Sequence, residues 1–205
     1  MKVKKYATKG DKIRDKVTKE YAMFHRNKLK KKKWKKELKQ KVIDTLPKRL
    51  AVKYNEYNFE DMKKQEITSL YIHGDVGTGK TVDCVYFYVD FIKQLYYKSS
   101  LIGASYYFVV FSKLIETLQQ DYNNSGTLLQ KYMECDLLVI DEFGAKKMTD
   151  YVYERIYLIV NERYLSLLPT IINSNFSLAA IGKKFDDERI IRRINEDYIL
   201  IKKKL

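Results

Sequence analysis

The sequence predicts an α/β fold: a doubly wound parallel sheet of about five strands, preceded by a short basic helical arm. Three observations carry this. Short apolar runs alternate with longer helix-like stretches, as strands and helices do when helices cover both faces of a parallel sheet. The first run ends in a glycine-rich loop that opens a segment of helix length. The charge is also divided along the chain. The 205 residues hold 40 Lys+Arg against 26 Asp+Glu, a net charge of +14. Positions 1–50 take 20 of the basic and 5 of the acidic residues (+15), leaving 20 and 21 (−1) for the rest. The expected organisation is an arm over 1–50 and one folded body over 51–205, large enough to bury a core.

In the arm, Val17, Tyr21 and Phe24, then Trp34, Leu38, Val42, Leu46 and Leu50, recur at helical spacing among lysines, which predicts one or two amphipathic helices. Pro47 predicts a break, and a linking helix is expected over Tyr54–Gln65. Strands are expected at Ser69–His73, Ser105–Phe111, Asp136–Ile140, Pro169–Asn173 and Tyr198–Ile201. Helices are expected at Thr81–Tyr97, at Lys113–Gln120 with Ser112 as its cap, at Asp150–Tyr164 and at Asp187–Asn195, with a polar loop over Asp121–Gly126.

Composition excludes several classes. With only two cysteines, far apart, and two histidines, no structural zinc site or disulfide framework can be built. The N-terminus has no apolar core of a signal peptide, and the longest apolar run, Tyr106–Phe111, is too short to span a bilayer. The expectation is a cytoplasmic protein with no membrane attachment.

The chemistry concentrates at the ends of the apolar runs. Gly74-Asp75-Val76-Gly77-Thr78-Gly79-Lys80-Thr81, followed by Val82, fits the spacing G-x-x-x-x-G-K-[ST]. Glycines let the backbone curl around a phosphate, and the following helix adds its N-terminal dipole. Lys80 is placed to reach the β- and γ-oxygens, and the Thr81 hydroxyl to ligate Mg²⁺. Leu137-Leu138-Val139-Ile140 then delivers Asp141 and Glu142 to the carboxyl end of a strand, where ligands bind in open α/β sheets. Asp141 is the expected second metal ligand and Glu142 the group that polarises an attacking water. A third strand ends in polar amides. Asn175 is the expected partner of that water, with Asn173 and Ser174 as rivals. Arg189, Arg192 and Arg193 follow on a helix and could reach a neighbouring subunit's nucleotide; Arg163 suits an interface or an ion pair.

The series YIHGDVGTGKT, LLVIDEFG, NERY, LPTIINSN and ERIIRRI resembles the AAA+ ATPases of the DnaC/DnaI helicase-loader and IstB transposition-helper family, over residues 66–201. The resemblance implies an AAA+ P-loop ATPase that uses ATP and Mg²⁺ and self-associates. It makes Lys80 and Thr81 the Walker A residues, Asp141 and Glu142 the Walker B pair and Asn175 the sensor. It places the arginine finger at Arg189, with Arg193 second. The family often carries a zinc-binding or larger N-terminal domain and a C-terminal lid; neither is expected here, which suggests a phage or mobile-element version. By the resemblance, the chain is expected to deliver a replicative DNA helicase to single-stranded DNA. The rival readings are a transposition helper acting with a transposase on duplex DNA, and a nucleotide-binding adaptor with little hydrolysis. For the lysine-dense stretch Lys28–Lys41 around Trp34, docking on a partner protein competes with phosphate contacts to DNA.

Overall fold

A computed structural model describes residues 39–40, 42–56, 68–97, 104–121 and 126–204. The helices expected before residue 39, including Trp34, lie outside the described residues, as does the expected linking helix beyond Glu56. The chain divides into two compact units, 1–41 and 42–205. The second contains the sheet.

That unit begins with a helical turn over 42–45 whose Val42 is buried, as is the adjoining Leu46. Helix α1 (Lys48–Glu56) starts beyond Pro47, whose carbonyl accepts from the Leu50 and Ala51 amides. Proline suits such a start, because its missing N–H would have no partner in a first turn. Then come β1 (Leu70–Gly74), α2 (Lys80–Tyr97), β2 (Tyr106–Val110), α3 (Phe111–Gln120), α4 (Thr127–Glu134) and β3 (Leu137–Asp141). They are followed by α5 (Asp150–Leu165), β4 (Thr170–Ser174), α6 (Leu178–Phe185), α7 (Arg189–Asp197) and β5 (Ile199–Lys203).

The five strands are parallel and ordered β2-β3-β4-β1-β5. The register follows from which faces must be dry. Tyr71, Val109, Leu138, Ile140 and Ile172 point to one side, into a core closed by α3, α4, α5, α6 and α7. The alternating positions, among them Ile72, Phe108, Val139 and Ile171, are also buried and face the opposite way, toward α2 and its Cys84, Tyr88 and Ile92. Both faces of the central strands are apolar because helices cover both. Edge strand β5 is the exception, with Ile199 and Leu200 half exposed.

Two expectations need correction. The chain enters α3 at Phe111, with Val110 in the N-cap position and no side-chain cap, so Ser112 lies inside the helix. Phe111 reads as a strand residue, but it is fully buried against Phe143, with ring centroids 4.8 Å apart, and that contact holds it at the head of the helix. Helices α4 and α6 were not expected. The first is short; the second contains Gly182, a poor helix former, and is fixed by its Ser177 cap, which accepts from the Ala180 amide.

Arg163 is also placed differently from either expected role. Its side chain is fully buried at the end of α5. The guanidinium donates to the Thr170 hydroxyl at 2.8 Å, to the carbonyls of Cys135 at 2.6 Å and Pro169 at 2.7 Å, and to those of Tyr132 and Met133 at 3.1 and 3.3 Å. The carbonyls at the end of α4 have no partners within their helix and carry the negative pole of its dipole, so a forked cation suits them. Arg163 thereby joins α4, α5 and β4 at the amino ends of the strands. Arg163→Ala should cost about 3 kcal/mol or more, because several buried acceptors lose their donor together. Arg163→Lys should recover only part of this, since an ammonium cannot reproduce the fork. Urea denaturation of the three proteins measures both.

Candidate active site

Parallel pairing sends the carboxyl ends of β1, β3 and β4 to one edge of the sheet. The phosphate-binding motif leaves that edge as the loop 75–79 and opens α2 at Lys80. Gly77 and Gly79 have φ of +87° and +82°, the left-handed region that lets the backbone curl, and a Cβ at either would meet only open space. Thr78 Oγ1 donates to the Asp75 carbonyl at 2.8 Å and braces the turn. Lys80 is buried, its Nζ donating to the carbonyls of Gly74 at 2.9 Å and Asp75 at 2.6 Å. Burial pulls its pKa below the usual lysine range, while Asp75 and Asp141 act in the opposite sense.

Opposite the loop stands the acidic strand end. Ile140 pairs with Ile172, so Asp141 comes level with Asn173, and alternation turns both toward α2. There Asp141 Oδ1 accepts from Thr81 Oγ1 at 3.1 Å and from Asn173 Nδ2. Burial raises the Asp141 pKa above the usual carboxylate range, and these two hydrogen bonds offset part of the rise. The Asn173 amide also lies near Thr81 Oγ1 at 3.4 Å and Cys84 Sγ at 3.6 Å, and its Oδ1 accepts from the Glu142 backbone N–H at 3.0 Å. Asn173 therefore touches both acids.

Glu142 has φ of +59°, unusual for a residue with a side chain, and is exposed. The next residue explains the turn. Phe143 is fully buried against Phe111 and Phe185, and its N–H donates to the Asn173 carbonyl at 2.8 Å. With Asp141 turned inward and Phe143 inserted beneath the turn, Glu142 is left facing solvent beside the phosphate loop's strand edge. Such strained positions cluster at functional sites.

Lys80, Thr81 and Asp141 are thus brought together, with Glu142 beside them. Asn175 is exposed beyond the end of β4, and it is its rival Asn173 that reaches the acids. Ser174 points to the other face and donates to the Phe143 carbonyl at 2.6 Å. Thr81 and Asp141 offer hard oxygen donors at hydrogen-bond separation, a set that fits Mg²⁺. Among the described residues no cluster of three or more His, Cys, Asp or Glu has metal-binding geometry, so the ion's remaining ligands would be phosphate oxygens and water.

The arginines lie on a different face. Arg189 pairs with Glu154 and, at 2.8 Å, with Asp187, and its guanidinium stacks 4.4 Å from the Tyr157 ring centroid. A cleft of about 480 Å³ adjoins it, lined by Met148, Tyr153 and Lys184 and by none of the loop residues. Arg193 donates to Asn161 Oδ1 at 2.9 Å and lies over Tyr164 at 4.7 Å. Arg192, at 74% exposure, pairs with Glu196 one turn on. Sequence pattern could not have shown Glu154, Tyr157, Asn161 and Tyr164 as partners, because they sit on α5, more than 25 residues away, whereas Asp187 and Glu196 are local.

Residues 8–199 match the family described as IstB-like ATP binding protein. Among curated proteins, none matches the sequence. The fold is similar to that of AMPPCP-bound DnaA from Aquifex aeolicus (TM-score 0.55, 19% identity), covering 77% of this chain and 46% of that one. It is also similar to a DnaC helicase loader (0.56, 23%), covering 79% of this chain and 96% of that one. For DnaI the values are 0.56 and 23%, with 76% and 82% covered. This chain therefore spans less than half of the DnaA structure and most of the other two. Among the described residues no helix is long and apolar enough to cross a membrane.

Because the raised Asp141 pKa means that the fold disfavours the charged carboxylate, stability contributed by the protonated form is present below the unfolded pKa and lost as pH rises through the folded one. Asp141→Asn keeps an oxygen for the Thr81 and Asn173 donors. It should melt higher than the parent at pH 7, with the difference shrinking toward pH 4. Thermal melts at the two pH values check this.

Proposed function

The chain belongs to the IstB-like ATP-binding family, and from that premise we propose that it is an AAA+ ATPase that delivers a replicative DNA helicase to single-stranded DNA. The observation that carries the catalytic part is the meeting of the phosphate loop and the acidic strand end, with Thr81 Oγ1 3.1 Å from Asp141 Oδ1. In this reading the loop from Gly74 to Val82 cradles the triphosphate. Lys80 would exchange its loop carbonyls for phosphate oxygens, and Thr81 and Asp141 are the residues that would hold Mg²⁺. The ion, when bound, supplies positive charge to the phosphate oxygens as negative charge builds on them. Glu142, exposed and aimed away from the core, orients the attacking water and accepts its proton. Asn173 keeps Asp141 and Glu142 in register, while Asn175 is exposed beyond the end of β4.

Self-association would bring an arginine from a neighbouring copy to the γ-phosphate. Arg189 and Arg193 remain the proposed residues. Each now holds partners on α5, and Arg189 must give up Glu154 and Asp187 to serve a neighbour. The loader role is supported by the fold's likeness to DnaC and DnaI and by the +15 arm, a docking element for the helicase or for DNA phosphates. The IstB-like family equally supports a transposition helper acting with a transposase on duplex DNA.

Glu142→Gln should retain ATP and lose turnover by about 10²- to 10⁴-fold, the usual contribution of a positioned base, whereas Lys80→Ala should lose ATP binding. Affinity capture from the source cell with Glu142→Gln as bait should recover a replicative DNA helicase in ATP, and bait lacking residues 1–50 should not. Recovery of a transposase in its place would favour the second reading.

A further inference from the structure

Lys203, the last residue of β5, touches both sides of the phosphate loop. Its backbone lies in register with Gly74, where the loop begins. The approach is so close that a Cβ on Gly74, at φ +147°, would fall 2.0 Å from the Lys203 carbonyl oxygen. Its side chain crosses to the far side, where Nζ lies 2.8 Å from Asp83 Oδ2 in the first turn of α2. Asp83 is tied to the loop's end as well, its N–H donating to the Gly79 carbonyl at 3.1 Å. Both side chains are about two-thirds buried, at 33% and 31% exposure, so solvent screens the pair less than a fully exposed one.

One residue therefore spans the loop from its first glycine to its first helical turn. We infer that Lys203 and Asp83 are positioning residues that set the opening of the phosphate loop: the Lys203 backbone fixes one end, and its ion pair with Asp83 fixes the other. Neither side chain needs to touch nucleotide. The loop's glycines make its span soft, and a bracket across it keeps the cradle matched to the triphosphate without ordering by the ligand. The inference rests on the reading of residues 74–81 as the triphosphate site.

The two substitutions Lys203→Met and Asp83→Asn separate this from simple electrostatics. If Lys203 merely added positive potential near an anion, losing it would weaken ATP binding and losing Asp83 would strengthen it. A bracket predicts that either loss weakens binding, by about threefold, the size that one such ion pair supports. Lys203→Arg should keep the parent affinity, and the reversed pair Asp83→Lys with Lys203→Asp should recover most of it. Calorimetric titration of each full-length variant with ATP and Mg²⁺, well below its melting temperature, makes the measurement. Opposite signs for the two single variants would overturn the proposal. So would unchanged affinity in both while Lys80→Ala abolishes binding, an outcome that leaves the loop assignment standing. Undiminished binding by Lys80→Ala would remove the loop assignment, and the bracket with it.

Discussion

A carboxylate buried at the end of a central strand must be given donors, and at Asp141 they come from two other elements. Thr81 reaches it from the first turn of α2, and Asn173 from the neighbouring strand β4. Much of the architecture can be read as what this meeting requires. Strand β3 must stand beside β4 in the register that levels Asp141 with Asn173, and α2 must cover that face closely enough for Thr81 to reach across. The apolar residues that drive this packing, Val139 and Ile171 on the sheet and Cys84 and Tyr88 on the helix, carry no chemistry themselves. They are the reason the loop and the acid meet at all.

The same small cluster shapes the turn that follows. Asn173 accepts from the Glu142 N–H, while Phe143, driven into the core beside Phe111 and Phe185, pulls the chain down directly after it. Glu142 is left in a left-handed conformation with its carboxylate in solvent. Two adjacent acids so acquire opposite environments. One is buried, hydrogen-bonded and raised in pKa; the other is exposed and free to meet water and substrate. Unequal environments of this kind let a pair of carboxylates take separate tasks, here the proposed metal binding and proton transfer.

The strands and the loop were legible in the sequence because strands buried on both faces read as unbroken apolar runs, and because the phosphate motif fixes its own flanking elements. Register was not legible. Asn173, Ser174 and Asn175 are all polar, and only pairing of β4 with β3 shows that the first of them reaches the acids. Arg163 was unreadable for a related reason. An arginine at a helix end suggests an ion pair, but most of its partners are main-chain carbonyls at the end of α4 and before β4, which sequence presents identically everywhere. Phe111 failed by propensity: an aromatic after SYYFVV reads as strand, and a tertiary contact with Phe143 makes it the start of a helix.

Charge and chemistry remain separate in this chain. Residues 51–205 are nearly neutral, and their site is built from a handful of groups held by apolar packing; the +15 of residues 1–50 is the proposed docking charge. The claim that organises the site is that Asn173 couples its two acids, and ATP turnover by Asn173→Val tests it most directly. The account predicts ATP affinity within about threefold of the parent with turnover reduced about a hundredfold, the share expected when a general base is present but misplaced. Turnover equal to the parent at saturating ATP would contradict it.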